Sequence, residues 1–265
     1  MLKLRVLCVV FLIFYTGIAY AKDEVTVTVF EDHARYVSAS SSYGLSWLLL
    51  EAAAEKANIE LVVIPSSWNA SMKRLQSGKV DLVFAALKTK EREKWATFSL
   101  PLIAEGSAIF THPKNSVNHF DEIDLQNSTI GVPAKSIHEE LSRELGFENI
   151  YPTAQRPQLY DMLDAGRIDY LFLGESIIDY YCLFVDGAQN RDCMKKIEPI
   201  FHADSVHTIV LKTNKEAQVY LNRLNQSLFN MRDAKNIKAL FNKYPDAHET
   251  HAQWVAKIEA VKSTL

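Results

Sequence analysis

The sequence predicts an α/β protein built as two similar lobes with a ligand cleft between them. Two observations carry this expectation. A ten-residue unit recurs: Leu75-Gln-Ser-Gly78-Lys-Val-Asp81-Leu-Val-Phe84 matches Leu163-Asp-Ala-Gly166-Arg-Ile-Asp169-Tyr-Leu-Phe172, 88 residues later. In each copy the Leu closes a helical pattern, and the Gly supplies the left-handed residue that stops it. The apolar run ending in Phe then reads as a buried strand. Around each copy, strand and helix patterns alternate as β-α-β-α-β, the order that gives a parallel sheet with right-handed crossovers. Two such lobes leave a cleft, and clefts hold ligands.

The elements follow in order. Residues 1–21 read as a secretory signal rather than as fold: Lys3 and Arg5 precede an apolar core from Val6 to Ile18, and Ala19-Tyr20-Ala21 fits a signal-peptidase site, with cleavage after Ala21. Val25–Phe30 alternates and is β-branched, a first strand. Residues 31–43 are polar and read as a loop, with Ser38, Ser40, Ser41 and Ser42 as its flexible part. Leu45–Ala57 favours helix and Leu61–Ile64 a second strand ended by Pro65. A short helix from Trp68 to Leu75 stops at Gly78, and residues 81–87 form a third strand.

A strand at Ala108–Thr111 leads out of this lobe. Thr129–Val132 begins the second lobe, and Ser136-x-x-Glu139 is a capping box for a helix reaching Leu145. Ile150-Tyr151 is a strand, Pro157–Leu163 a helix and Ile168–Leu173 a strand. Val206–Leu211 is a strand returning to the first lobe. An amphipathic helix follows from Lys215 to Met231, and a last helical stretch carries Ile237, Leu240, Phe241 and Tyr244. The expected division is 22–109 with 206–265 as lobe 1 and 110–205 as lobe 2. Two crossing strands near 109–112 and 203–207 form the hinge.

Composition excludes several functions. The 265 residues carry a formal net charge of −3, and losing Lys3 and Arg5 leaves 27 basic against 32 acidic residues. That balance offers no basic surface for nucleic acid. The eight His residues show no metal-ligand spacing. There is no Gly-rich phosphate loop and no nucleophile elbow. No cofactor and no catalytic residue is expected. Export places the two remaining cysteines, Cys182 and Cys193, in an oxidising compartment, where an even count argues for a disulfide over two free thiols.

The pattern Trp68…Leu75-x-x-Gly78-x-x-Asp81…Thr89-x-Glu-Arg92…Phe98-Ser-x-Pro101 resembles the signature of family 3 extracellular solute-binding proteins. Thr129-Ile-Gly-Val132 and Ala165-Gly-Arg-Ile-Asp169 extend the likeness over nearly the whole mature chain. The resemblance implies the type II periplasmic-binding-protein fold. It implies a periplasmic monomer that closes on a small polar, carboxylate-bearing ligand, as in receptors that serve polar amino-acid ABC importers. Arg92 matches the arginine that clamps a ligand carboxylate.

Trp68 matches a cleft aromatic, with core packing as the alternative. Lys88 and Thr89 follow the third strand's C-terminal end, on the ligand side of a parallel sheet; Thr89 equally suits a cap for the turn before Arg92. Glu31, Asp32 and Tyr36 follow the first strand on the same side. Ser136 opens a helix where relatives hold the carboxylate, while Lys135 replaces a usual Gly and Ile137 a usual hydroxyl.

Two features depart from the pattern. One residue fewer separates Asp81 from Arg92. Gly174 stands where relatives place the acid that binds an α-ammonium; either Glu175, displaced by one, takes that role, or no amino group is recognised. Two alternatives to transport remain: a ligand-binding sensor or accessory protein, and a periplasmic dehydratase with Glu175 as general acid.

Overall fold

A computed structural model of the chain describes residues 21–184, 193–244, 247 and 249–262. Residues 1–20, where a signal segment is expected, and residues 185–192 between the two cysteines lie outside the described residues. The strands are β1 (Asp23–Val29), β2 (Ile59–Pro65), β3 (Leu82–Leu87), β4 (Ala96–Phe98), β5 (Ala104–Thr111), β6 (Thr129–Pro133), β7 (Asn149–Thr153), β8 (Tyr170–Gly174) and β9 (Lys195–Leu211). The helices are α1 (His33–Ala39), α2 (Ser41–Lys56), α3 (Trp68–Gln76), α4 (Ile137–Glu144), α5 (Arg156–Asp164), α6 (Glu175–Phe184), α7 (Lys215–Met231), α8 (Lys235–Lys243) and α9 (His251–Lys262).

The strands join in the order β2-β1-β3-β9-β5-β8-β6-β7, with β4 beside β9. The order is nearly symmetric. In one half β1 pairs in parallel with β2 and β3; in the other β6 pairs in parallel with β7 and β8. Between them β5 and β9 run antiparallel. β9 is the long strand that passes from one half to the other, pairing with β5 over its first part and with β3 and β4 over its last. β5 pairs with β9 and β8 over Ala104–Thr111 and so runs wholly with the second half.

The repeated unit has one structural job in both halves. Gly78 and Gly166 take φ of 67° and 63°. After each, the chain folds back on the helix end, Lys79 N bonding to Arg74 O and Arg167 N to Met162 O. The two aspartates then pin the new strand to the first strand of its half, β1 or β6. Asp81 Oδ2 accepts from Thr26 N at 2.9 Å and Thr26 Oγ1 at 2.6 Å, while Asp169 Oδ2 accepts from Thr129 N and Oγ1, both at 2.8 Å. Phe84 and Phe172 complete the unit inside the core.

Two expectations change. The loop expected over 31–43 is helix α1 and the start of α2. Its serines are not flexible: Ser40, Ser41 and Ser42 are buried, and the Ser40 side chain caps α2 by accepting from Tyr43 N. Helix α6, for which the sequence offered no reading, buries Ser176, Ile177, Ile178, Tyr180, Tyr181 and Cys182 and leaves Glu175, Asp179 and Leu183 on its one less buried face. Cys182 at its end is bonded to Cys193.

Candidate functional site

A cleft lies between the two halves of the sheet. One half contributes Phe30 from beyond the end of β1, Tyr43, Trp68, Leu87 at the end of β3, and Arg92. The other contributes Pro133, Ser136, Ile137 and His138 around the start of α4, Arg156 at the start of α5, and Gly174, Ser176 and Ile177 where β8 meets α6. The C-terminal ends of parallel strands and the N-termini of helices therefore meet here, as open α/β sheets require of a ligand crevice.

Arg92 is the most constrained charge in the cleft. It opens a 3-10 turn, Arg92–Lys94, that Thr89 Oγ1 caps by accepting from Arg92 N at 3.2 Å. Its residue is only 4% exposed. Nη1 donates to Leu87 O at 2.7 Å, Nη2 reaches Lys135 O in the other half at 3.4 Å, and the guanidinium lies 5.0 Å over the Trp68 ring. Burial holds its pKa below the ordinary arginine value, opposed by Glu140 and Glu91. Among the described residues no carboxylate lies within ion-pair distance of it.

Trp68 reinforces the same bridge, Nε1 donating to Lys135 O at 3.1 Å. Lys135 itself takes a left-handed backbone, φ 61°, at a position where glycine has no steric cost. Its N–H donates to Glu139 Oε2, and Ser136 Oγ accepts from Glu139 N while donating to Pro133 O. The α4 capping box thus shapes the wall, and Lys135 contributes its carbonyl to Trp68 and Arg92.

A carboxylate stands close to the position the sequence left empty. Gly174 has no side chain, and a Cβ built there would meet Glu105 Oε1 at 2.7 Å. Glu105 reaches that space from β5, the strand facing β8. It is held there by Ser176, whose N–H donates to Oε1 at 2.8 Å and whose hydroxyl donates to Oε2 at 2.5 Å. The start of α6 further favours a negative charge. Ser40 Oγ in the other half donates to Ser176 Oγ. Glu175 instead turns towards Gly106 and pairs with Lys196 at 3.2 Å, outside the cleft lining.

A third charge closes the cleft near Phe30. Arg156 Nη1 donates to Tyr36 OH at 2.9 Å, and its guanidinium lies 4.2 Å over the Phe30 ring. Tyr36 stacks on Tyr180 of α6 at 3.9 Å, and Tyr180 OH donates to Asp32 Oδ2 at 2.6 Å. Burial raises the Tyr36 pKa, so it stays a neutral phenol.

Of the residues singled out in the sequence, Arg92, Trp68 and Ser136 line the cleft, Lys135 joins it through its backbone, and Tyr36 stands behind Arg156. Thr89 caps the turn. Lys88 is exposed and pairs with Glu93, and Glu31 is exposed; neither lines the cleft. Glu105 and Arg156 escaped sequence reasoning. A lone acid inside the apolar run of residues 102–111 was the available signal for Glu105. Arg156 had none, because an arginine before a helix-opening proline is ordinary surface sequence.

Residues 31–247 match bacterial extracellular solute-binding proteins, family 3. The chain belongs to that family. The arginine-binding extracellular protein ArtP of Bacillus subtilis (strain 168) is 27% identical over 158 residues, which is 58% of this chain and 61% of ArtP. Two solved structures show the same fold. A histidine kinase sensor domain with similarity to periplasmic binding proteins matches with a TM-score of 0.71 at 18% identity, over 86% of this chain and 99% of that one. The GluR0 ligand-binding core from Nostoc punctiforme, in complex with L-glutamate, matches at 0.65 and 22% identity, over 84% and 99%. The type II periplasmic-binding-protein fold is thus that of this family 3 protein. No helix among its described residues is long and apolar enough to cross a membrane.

Proposed function

We propose that this family 3 protein is an exported receptor, cleaved after Ala21, that captures a small amino-acid-like ligand and presents it to an ABC permease. The observation that carries the reading is Arg92: a guanidinium buried in the cleft with two carbonyl contacts and no carboxylate among the described residues. A ligand carboxylate supplies the missing charge through paired, charge-assisted bonds. Glu105, seated beside Gly174, takes the ligand ammonium in place of the acid that relatives carry on the strand itself.

The two lobes, divided as the sequence suggests except that β5 (Ala104–Thr111) goes with the second, close by bending where β9 crosses between the halves. Trp68 and Arg92 on Lys135 O and Tyr36 on Tyr180 hold the closed form on either side of the ligand. The protein acts as a monomer and binds without turnover, since Glu175, the acid available to a dehydratase, is turned away to Lys196.

Native mass spectrometry of freshly purified protein tests the reading by weighing any retained ligand. Thermal melts with single amino acids, arginine included because ArtP is named for it, give the second measure. A ligand at 100 times its dissociation constant adds about 2.7 kcal/mol. No shift with any carboxylate-bearing amino acid or dicarboxylate would refute it.

A further inference from the structure

The cleft carries more positive than negative charge. Arg92 lines it from one half and Arg156 from the other, against Glu105 as the one carboxylate lining it among the described residues. A zwitterionic ligand sets its carboxylate on Arg92 and its ammonium towards Glu105, and leaves Arg156 without an anion. Among the described residues Arg156 has one protein acceptor, the Tyr36 hydroxyl, and its plane rests on Phe30. Both contacts orient the guanidinium and neither neutralises it. No carboxylate lies within ion-pair distance of it among the described residues. A guanidinium has five N–H donors, so a bidentate face remains for a ligand. The adjoining lining is apolar, from Leu87, Ile137, Ile177 and Val206, which strengthens any charge pair formed there.

We propose that Arg156 is a second anion-binding residue and that the cleft selects a ligand with two acidic groups, an acidic amino acid, with one carboxylate on Arg92 and the other on Arg156. Each carboxylate then engages a guanidinium from a different half, so the second acid group also favours closure. A cationic side chain placed at the same point meets Arg156 and is rejected.

This inference rests on the receptor reading, and one titration series separates the two. Isothermal titration calorimetry on the mature protein uses L-glutamate, L-aspartate, L-glutamine, L-arginine and glutarate. The native protein should prefer L-glutamate over L-glutamine by roughly 10- to 100-fold, the worth of one charge-assisted pair. That ratio should fall towards one in Arg156→Gln and recover in part in Arg156→Lys, which keeps the charge without the fork. L-glutamine or L-arginine binding the native protein as tightly as L-glutamate overturns the role of Arg156, as does a ratio that persists in Arg156→Gln, and both leave the receptor standing. Glutarate binding as tightly as L-glutamate keeps Arg156 and removes Glu105 as the ammonium site. No binding of any of the five overturns the acidic-ligand reading, and the receptor reading falls with it only if the thermal melts with the remaining amino acids also show no shift.

Discussion

Replacing Arg92 by Met should stabilise the unliganded protein while abolishing ligand binding. Two terms oppose each other. The substitution loses the bond to Leu87 O at 2.7 Å and the longer one to Lys135 O at 3.4 Å. A bond from a charged donor is worth about 1.5–3 kcal/mol, and the longer contact less. Against this stands the removal of a guanidinium that is 4% exposed and has no carboxylate partner among the described residues. The effective penalty for burying such an ion is several kcal/mol. Met leaves an unbranched apolar stem, shorter than arginine's, whose polarizable sulfur suits packing beside Trp68.

The net expectation is a gain of about 1–2 kcal/mol, or a Tm rise of about 2–8 °C for a chain of this size. Differential scanning calorimetry without ligand measures the gain, and the same scan with ligand measures the loss of binding. A Tm below that of the native protein would show that Arg92 is a structural residue whose charge the fold already satisfies. Retained binding would remove it from the site.

Other outcomes follow from the same structure. His33 packs edge-on against Trp47 at 4.4 Å, and burial lowers its pKa to about 4. Between pH 4 and 6.5 the unfolded chain therefore binds a proton that the folded chain refuses, so stability is present above pH 6.5 and lost as pH falls. Partial exposure reduces the effect to about 1–2 kcal/mol, and His33→Gln should flatten the urea-unfolding profile over that range. Lys135→Gly should raise stability by up to about 1 kcal/mol by relieving the left-handed backbone, whereas Lys135→Val should lower it by about 2 kcal/mol; thermal melts separate the two. Reducing the Cys182–Cys193 bond, or replacing both by Ala, should cost about 3 kcal/mol in denaturant unfolding, the loop-closure value for a separation of 11.

Much of the frame was legible because it repeats. The helix-stopping glycines, the strand-pinning aspartates and the buried phenylalanines are local devices with fixed spacing, so Gly78, Asp81 and Phe84 can be read beside Gly166, Asp169 and Phe172 without coordinates. Helices α1, α6 and α9 escaped because their local sequence is short or mixed, and the serines at the start of α2 looked like loop because nothing in the chain shows Ser40 meeting Ser176.

Local pattern along the chain is enough to specify an α/β protein of two like halves, an arginine after the third strand, and an acid absent at Gly174. It is local pattern that carries such facts: a stop signal, a capping box and a charge placed a few residues from a strand end. Only the tertiary structure decided what charges the cleft holds. Glu105 and Gly174 lie 69 residues apart in the chain and meet because β5 and β8 are neighbouring antiparallel strands. Arg156 faces Phe30 and Tyr36 because the start of α5 in one half of the sheet lies against the residues after β1 in the other. Sequence spacing records what a strand or helix does alone. The cleft's charge arises where distant strands and opposite halves touch, and no periodicity along the chain encodes that contact.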